Sequence, residues 1–486
     1  LFKEFRQDTY FEVYGRFMFP EVGIEDSTAG KIIYKRNGRI NSLTLEVYGL
    51  LETNDFDGRY LEGRYKLYNI VGFTNYGMSI LIEGAVLSNG NIVDSKFSFL
   101  EYNMKDCLFL NLNIDDFEPI VRKLSDKGIY SIGVSSCQYS FTGIDKWVNE
   151  SNVFCTYDEN NYTFGVDFDN IKEDFYLVDD ENLKFSSGME ISSGENTFNE
   201  EFYWSLESID KSCFDIKSIL GKVDMFKELL EILLSVPIDY SYLKFRIPIG
   251  QLDNKLVTGY LVRSRIRIDE YKKFVTDIPY EKIKDNFEDI LCKWFENINE
   301  FTLIVQNYII NKNALQYNQS ILLNSIKNLE MYHRNFVEQE KEINESLNRD
   351  KRIVLECIDK YIDDKKHIEK FISNINYDSE MTLYNRLLEL FGNLNEDLLK
   401  KLIRTSSEVS NRKIKTFAYK LVSTRNYYTH GDSESMKNVV IIDSDELIET
   451  TLLLNQIIKY YICKELFDVD GEIVDIIIKG MSGVIK

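Results

Sequence analysis

The hydrophobic period of this chain changes once, near residue 281, and that change limits the fold more than any other feature. Before it, apolar side chains recur at every second position; after it, at every third or fourth. In INSLTLEVYGLL, Leu43, Leu45 and Val47 fall on one side and Thr44, Glu46 and Tyr48 on the other, the alternation of a half-buried strand. Asn37-Gly38, between KIIYK and RINSLTLEV, is a strong short-range hairpin signal. Asn89-Gly90 separates MSILIEGAVL from NIVDSKFSFLEY and reads as a second hairpin turn. The aromatic, alternating segments NYTFGVDF, EDFYLV, LKFSSGMEI and FYWSLES follow, and YLKFRIPI and LVTGYLVRSRIRI add further extended pieces. Short strands at this spacing predict a sandwich or an open barrel. One helix is expected within this half, near VDMFKELLEILL, residues 223–234.

Beyond residue 281 the pattern is helical. Leu322, Ile326, Leu329, His333 and Phe336 fall on one stripe at steps of three or four. Further helices are expected near 350–374, 379–391, 395–407, 411–430 and 444–467, joined by short polar segments as in an antiparallel bundle. The fold class is therefore α+β with two domains: a β-rich N-terminal domain over 1–275 and an all-α helical domain over 281–486, with the boundary at 270–285.

Composition narrows the function. With 44% hydrophobic and 28% charged residues in 486, and only five prolines, the chain can bury a real core and has little room for disordered linkers. No run of 18 apolar residues occurs, so no transmembrane helix is expected. The opening LFKEFRQDTYF lacks the apolar core of a signal peptide, and with no initial Met the true start is expected upstream of Leu1. Seven irregularly spaced cysteines read as reduced thiols of a cytoplasmic protein, not a disulfide framework or a zinc site. No cofactor and no metal is called for. The net charge of −21 argues against a broad nucleic-acid coat, but leaves room for one basic patch. The acidity sits mainly in the first half: residues 1–280 carry 45 acidic and 30 basic side chains, residues 281–486 carry 34 and 28.

That patch precedes the most informative segment, NRKIKTFAYKLVSTRNYYTHGD, residues 411–432. Between 400 and 425 lie eight basic residues, Lys413, Lys415 and Lys420 among them, and one acid, Glu408. A net +7 stretch in so acidic a chain is a footprint for phosphate. Ile414, Phe417, Ala418, Leu421 and Val422 form an apolar stripe that leads on to Arg425 and Tyr428, so Arg425 points to a bundle or an interface, where a permanent charge needs a partner. Asn426 and His430 are four residues apart and share a face. Gly431 supplies a helix C-terminus, which leaves His430 in the last turn, where the macrodipole favours an imidazolium.

Other candidates carry less. His333 lies on the first long stripe beside Glu330, where core packing or a dimer contact competes with a supporting role at the site. His367, four residues after Asp363, has no third ligand in view and reads as part of a solvated face. Gly72–Ser79 mimics a phosphate-binding loop, but Met78 stands where lysine belongs and a strand follows, so a hairpin loop is expected. The pairs Asp115/Asp116 and Asp179/Asp180 read as exposed turns.

Arg425-Asn426-Tyr427-Tyr428-Thr429-His430 resembles the R-(polar)-x3-H motif of HEPN ribonucleases. With YGRFMFPE, LTLEVYGLL and NLEMYHRNF, the whole chain resembles the ApeA family of anti-phage proteins, which join a β-rich N-terminal domain to a C-terminal HEPN domain. The resemblance implies an all-α HEPN bundle and metal-independent RNA cleavage, with tRNA as a candidate target. In that chemistry the 2′-hydroxyl attacks the neighbouring phosphate. His430 would act as general acid or base, Arg425 would hold the phosphate, and Asn426 would orient a partner or substrate. It further implies a homodimer or higher even oligomer and a phage-derived trigger bound by the N-terminal domain. Two other classes stay open: a silent HEPN fold acting through partner proteins, and a nucleotide-dependent regulator, for which no nucleotidyltransferase signature is present.

Overall fold

Six antiparallel strands near the start of the chain close into a barrel. They are β1 (Phe11–Met18), β2 (Thr28–Asn37), β3 (Ile40–Val47), β4 (Leu67–Thr74), β5 (Ser79–Val93) and β6 (Phe97–Met104). β1 pairs with β2, β2 with β3, β3 with β6, β6 with β5, and β5 with β4, which returns to β1. Of the two architectures the alternation left open, the barrel is the one that forms. The computed structural model describes the chain except residues 1–4, 8, 38–39, 50, 52–66, 94–96, 114–120, 149–152, 159–160, 167–173, 194–197, 250–254, 267–276, 313, 315–317, 338–344, 363, 379–380, 431–439 and 483–486. Asp115, Asp116 and Gly431 thus lie outside the described residues.

The ring closes around Phe17. This side chain is fully buried on β1, with Val13 and Phe11 on the same face, while Tyr14 and Arg16 are exposed. Gly30 on β2 and Gly72 on β4 flank it. A Cβ on Gly30 would sit 2.4 Å from the Glu46 carbonyl oxygen and 3.1 Å from the Phe17 ring; one on Gly72 would sit 2.5 Å from the Arg16 carbonyl oxygen and 2.8 Å from that ring. Glycine at both positions lets the neighbouring strands approach an aromatic core residue. Leu43, Leu45 and Val47 are buried on β3, as their alternation requires.

The β2–β3 hairpin closes on Asn37 opposite Ile40, where the Asn-Gly signal placed it. The second expected turn does not form. β5 runs straight through Asn89-Gly90, and its register against β6 shifts by one residue between Leu87 and Asn89. The bulge bends a 15-residue strand, so that its first part pairs with β4 and its last part with β6. The hairpin loop expected within residues 72–79 is the β4–β5 turn at 75–78: Thr74 Oγ1 accepts from the backbone N–H of Tyr76 (3.2 Å) and Met78 (3.0 Å).

The sheet continues past the barrel. The remaining strands are β7 (Asp106–Leu110), β8 (Gly133–Val134), β9 (Ser136–Phe141), β10 (Val153–Asp158), β11 (Asn161–Val166), β12 (Asp174–Val178), β13 (Leu183–Ser193), β14 (Phe198–Ser208), β15 (Phe214–Asp215), β16 (Tyr240–Ile249), β17 (Lys255–Arg263) and β18 (Arg265–Ile266). From β5 the order runs β7, β17, β16, β9, β14, β13, β12; β10–β11 and β15–β8 form separate pairs. Asp179 and Asp180 are exposed in a short turn of helix after β12. The helices of this unit are α1 (Arg122–Lys127), α2 (Ile144–Val148), α3 (Ile216–Leu234), α4 (Tyr280–Ile283) and α5 (Phe287–Glu296).

Helix α3 begins two turns before the expected 223–234. Asp215 caps it, accepting from the Ser218 N–H at 2.6 Å, and Ile216, Ile219 and Leu220 are buried in those early turns. Gly221 weakens the local helical propensity and hides them from a sequence reading. Phe226 anchors the helix on the sheet, its ring centroid 4.9 Å from Trp204 and 5.2 Å from Phe185. α5 joins the same core. Phe287 lies 5.4 Å from Trp204, Phe295 lies 5.6 Å from Phe185, and Trp294 Nε1 donates to the Met225 carbonyl at 3.0 Å. The strand-rich compact unit therefore runs from Leu1 to Glu296, because the first amphipathic helices after the period change are part of its core.

The second unit, Asn297–Lys486, is helical. It comprises α6 (Ile298–Lys312), α7 (Gln319–Tyr332), α8 (Glu345–Tyr361), α9 (Lys365–Asp378), α10 (Leu383–Gly392), α11 (Glu396–Ile403), α12 (Asn411–His430), α13 (Ser444–Leu466) and α14 (Gly471–Ser482). α13 is buried on every side from Thr450 to Cys463, so it forms the axis of the bundle, packed by α6, α7, α11 and α14. Polar side chains set its register: Asn311 Nδ2 donates to Ser325 Oγ (3.0 Å) and to Asn455 Oδ1 (3.2 Å), and Ser325 Oγ donates to the same Asn455 oxygen (3.1 Å). α7 passes without a break into one turn of π-helix, His333–Val337.

Candidate functional site at the end of helix α12

Helix α12 is held by a buried stripe and a threonine. Ile414, Ala418 and Leu421 are buried; Phe417 and Val422 are half-buried, and Phe417 meets Phe391 of α10 with ring centroids 5.9 Å apart. Thr424, fully buried, donates to the Lys420 carbonyl (2.7 Å) and accepts from the Ile442 N–H (2.9 Å). It therefore fixes where the chain comes back to α12 before entering α13, whose N-cap, Asp443, accepts from Asp445 and Glu446.

The stripe leads to Arg425, half-buried as its spacing required, and Tyr428, also half-buried with its ring edge-on to Tyr427 at 5.1 Å. The helix persists to His430, whose side chain lies outside the described residues. Five residues of α-helix turn through about 500°, so positions 425 and 430 stand about 140° apart around the axis and about 7.5 Å apart along it. Asn426 lies between them, about 40° from position 430 and one turn below it. Arg425 Nη1 donates to Asn426 Oδ1 at 3.1 Å. That bond draws the guanidinium round the helix, from the bundle-facing stripe toward the face that carries position 430. An R-x4-H spacing alone places the two positions on diverging faces; the hydrogen bond to the intervening asparagine turns the arginine toward the face of position 430.

The basic flank is smaller than its sequence suggests. Lys420 is ion-paired with Glu446 of α13. Arg404 meets Glu449 at 3.2 Å, and Lys400 meets Glu396 at 2.7 Å. Lys413 is exposed and donates to Thr405 Oγ1 at 3.1 Å; Lys415 and Arg412 are exposed. The cations open to solvent on α12 are thus Arg412, Lys413 and Lys415, near its start, while Lys420 is neutralised by Glu446.

His333 belongs to a different network. It is fully buried, with Nε2 3.0 Å from Glu389 Oε2 and Nδ1 3.3 Å from Arg386 Nη1, both on α10. A guanidinium only donates, so Nδ1 accepts and Nε2 carries the hydrogen given to Glu389. Arg386, itself buried, also donates from Nε to the Met381 carbonyl at 2.9 Å. The His333 imidazole pins the end of α7 to α10 in a fixed tautomer. Glu330 is engaged with Arg334 at 3.1 Å, and His367 is exposed near Asp364. Arg386 and Glu389 were missed in the sequence. Their signal was a charged residue on the apolar stripe of NRLLELFG, beside Leu387 and Leu390, with a histidine on the stripe of another helix.

A strand-rich barrel unit and a helical bundle that carries an Arg–Asn–His segment at the end of a late helix define the class: a chain with a C-terminal HEPN domain. The family described as Apea-like HEPN matches residues 323–470, and that described as ApeA N-terminal domain 1 matches residues 12–294. The chain belongs to the ApeA-type family, with its HEPN domain at the C-terminal end. HEPN domains are in general ribonucleases, and one in an ApeA-type chain suggests a defence-related nuclease role. Comparison with curated proteins and with solved structures gives no significant match. No helix among the described residues is long and apolar enough to cross a membrane.

Proposed function

We propose that the chain is a metal-independent endoribonuclease of anti-phage defence, with Arg425 and His430 as its catalytic pair and Asn426 as the residue that orients the arginine. The observation that carries this reading is the Arg425–Asn426 hydrogen bond at the end of α12, within the segment matched as HEPN. The 2′-hydroxyl of the RNA attacks the adjacent phosphorus, and the 5′-oxygen of the next nucleotide leaves. The products are a 2′,3′-cyclic phosphate and a 5′-hydroxyl. His430 takes the proton from the nucleophile or returns one to the leaving oxygen, and Arg425 meets the charge that builds on the phosphate through its planar fork of donors. Tyr428, half-buried at the end of the same helix, contacts a base or sugar in this reading. One Arg–His pair leaves a phosphate half surrounded, so two chains related by a two-fold axis supply the complete site. The N-terminal unit acts as the sensor that receives a phage-derived trigger in the cytoplasm, and a structured RNA such as tRNA is the target.

Sequencing of RNA ends from infected cells expressing the wild type and His430→Ala tests this. New 5′-hydroxyl ends are expected in the wild type alone; identical end profiles in both would leave the HEPN fold as a binding module that acts through partner proteins.

The exposed lysines at the start of α12 give a second expected result. If Lys413 and Lys415 each contact one phosphate, replacing both by alanine lowers the salt slope of RNA binding by about 1.4. The ends produced should not change. Lys420→Ala, by contrast, should leave affinity where it was, since Glu446 already neutralises that ammonium. Equal loss from Lys420→Ala and the double variant, read by filter binding across a salt series, would show that RNA follows another path.

A further inference from the structure

We infer that the helical hairpin α8–α9 is the surface through which two copies of this chain associate. α8 has 17 residues and α9 has 14, and they pack chiefly on each other. Not one of their described side chains is buried. Helices of this length are marginal alone in water and depend on burying an apolar face. Here the face exists and is open. Leu355 and Ile358 of α8 and Ile368 and Ile372 of α9 are half-buried. A second stripe remains exposed: Ile353 (53%), Val354 (47%), Cys357 and Tyr361 (74%) on α8, joined by Phe371 (47%) on α9.

Charge identifies the occupant as another copy. Two chains of net −21 repel each other over most of their surface. Residues 345–378 carry seven basic and eight acidic side chains, a net −1, which leaves −20 for the rest. This near-neutral, interleaved stretch is where like chains can meet at little electrostatic cost. The pattern is also self-complementary. Arg349 and Glu356 are exposed and seven residues apart, so they flank the open stripe on one side. An antiparallel arrangement about a two-fold axis between Ile353 and Val354 puts Arg349 of one copy within a turn of Glu356 of the second copy, and the reverse. Two hairpins then form a four-helix bundle with the open stripes at its centre.

Where it names the contact that would bring two Arg–His motifs into one particle, this inference rests on the ribonuclease reading; the association itself requires no cleavage. Light scattering on the full chain, as wild type and as His430→Ala, should give a dimer in both. Arg349→Glu and Glu356→Arg should each weaken association by about tenfold, and the double reversal should restore it, which a folding defect could not do. In a Cys357→Ser background, Val354→Cys should yield an interchain disulfide on mild oxidation, absent from the Cys357→Ser parent. A monomer at micromolar concentration, or a dimer that ignores both reversals and forms no crosslink, would overturn the inference. A dimer that behaves as described but cuts no RNA would instead count against the ribonuclease reading.

Discussion

Replacing His430 by alanine should lower the RNA cleavage rate by about a thousandfold, within the range that a positioned general acid or base contributes. Arg425→Ala should cost about a hundredfold or more, because it removes the donors that meet charge growing on the phosphate. The double variant should be little worse than His430→Ala alone. Groups that act together on one transition state are not additive, since losing either dismantles what the other depends on. Asn426→Ala separates orientation from chemistry: Arg425 loses its partner at 3.1 Å, so the rate should fall by less than in Arg425→Ala, with the same products. Cleavage by the wild type should continue in EDTA. Strict additivity of the two single losses, or activity abolished by chelation and restored by a divalent ion, would rule out this pair as the reacting unit. Initial rates on a defined RNA, with the ends identified chemically, provide the measurement.

The motif was legible in the sequence because it is contiguous. Arg425, Asn426 and His430 lie within one and a half helical turns, so periodicity alone placed two of them and predicted that the arginine would be partly enclosed. Which group the arginine would choose was not legible, since a side chain with five donors has many routes from one backbone position. The same holds for Lys420: its neutralising acid, Glu446, lies 26 residues further on, and a local charge count could not see it. His333 was legible as buried, but its partners Arg386 and Glu389 are more than 50 residues away. In the strand-rich half, alternation revealed strands and their buried faces, as at Leu43, Leu45 and Val47. Closure was hidden. It depends on pairing β3 with β6 and on a bulge within β5, and the Asn89-Gly90 pair that elsewhere marks a turn is carried inside that strand. Long-range pairing and bulges leave little trace in a two-residue period.

Freeing the helical unit from the barrel unit should make it more toxic to cells than the full chain, with the toxicity cancelled by His430→Ala. A ribonuclease that attacks host RNA must be restrained until needed. On the proposed reading restraint is assigned to the other unit, which carries most of the negative charge: −15 of −21 lies in residues 1–280. Such a unit can bias the assembly toward an unproductive arrangement. A phage component would release it only by binding the active arrangement more tightly than the silent one. The place of the cut decides whether the experiment is clean. A fragment starting at residue 281 would carry α5 without its sheet and expose Phe287, Trp294 and Phe295, all buried in the whole chain. Cutting before Asn297 leaves that core intact on the other side. The 297–486 fragment should express as a folded helical protein, and induced cells should lose viability several decades faster than with the full chain. Folded expression of this fragment without toxicity would instead mean that the barrel unit brings the RNA to the site. The sensor reading would then give way to one in which the first 296 residues supply substrate rather than restraint.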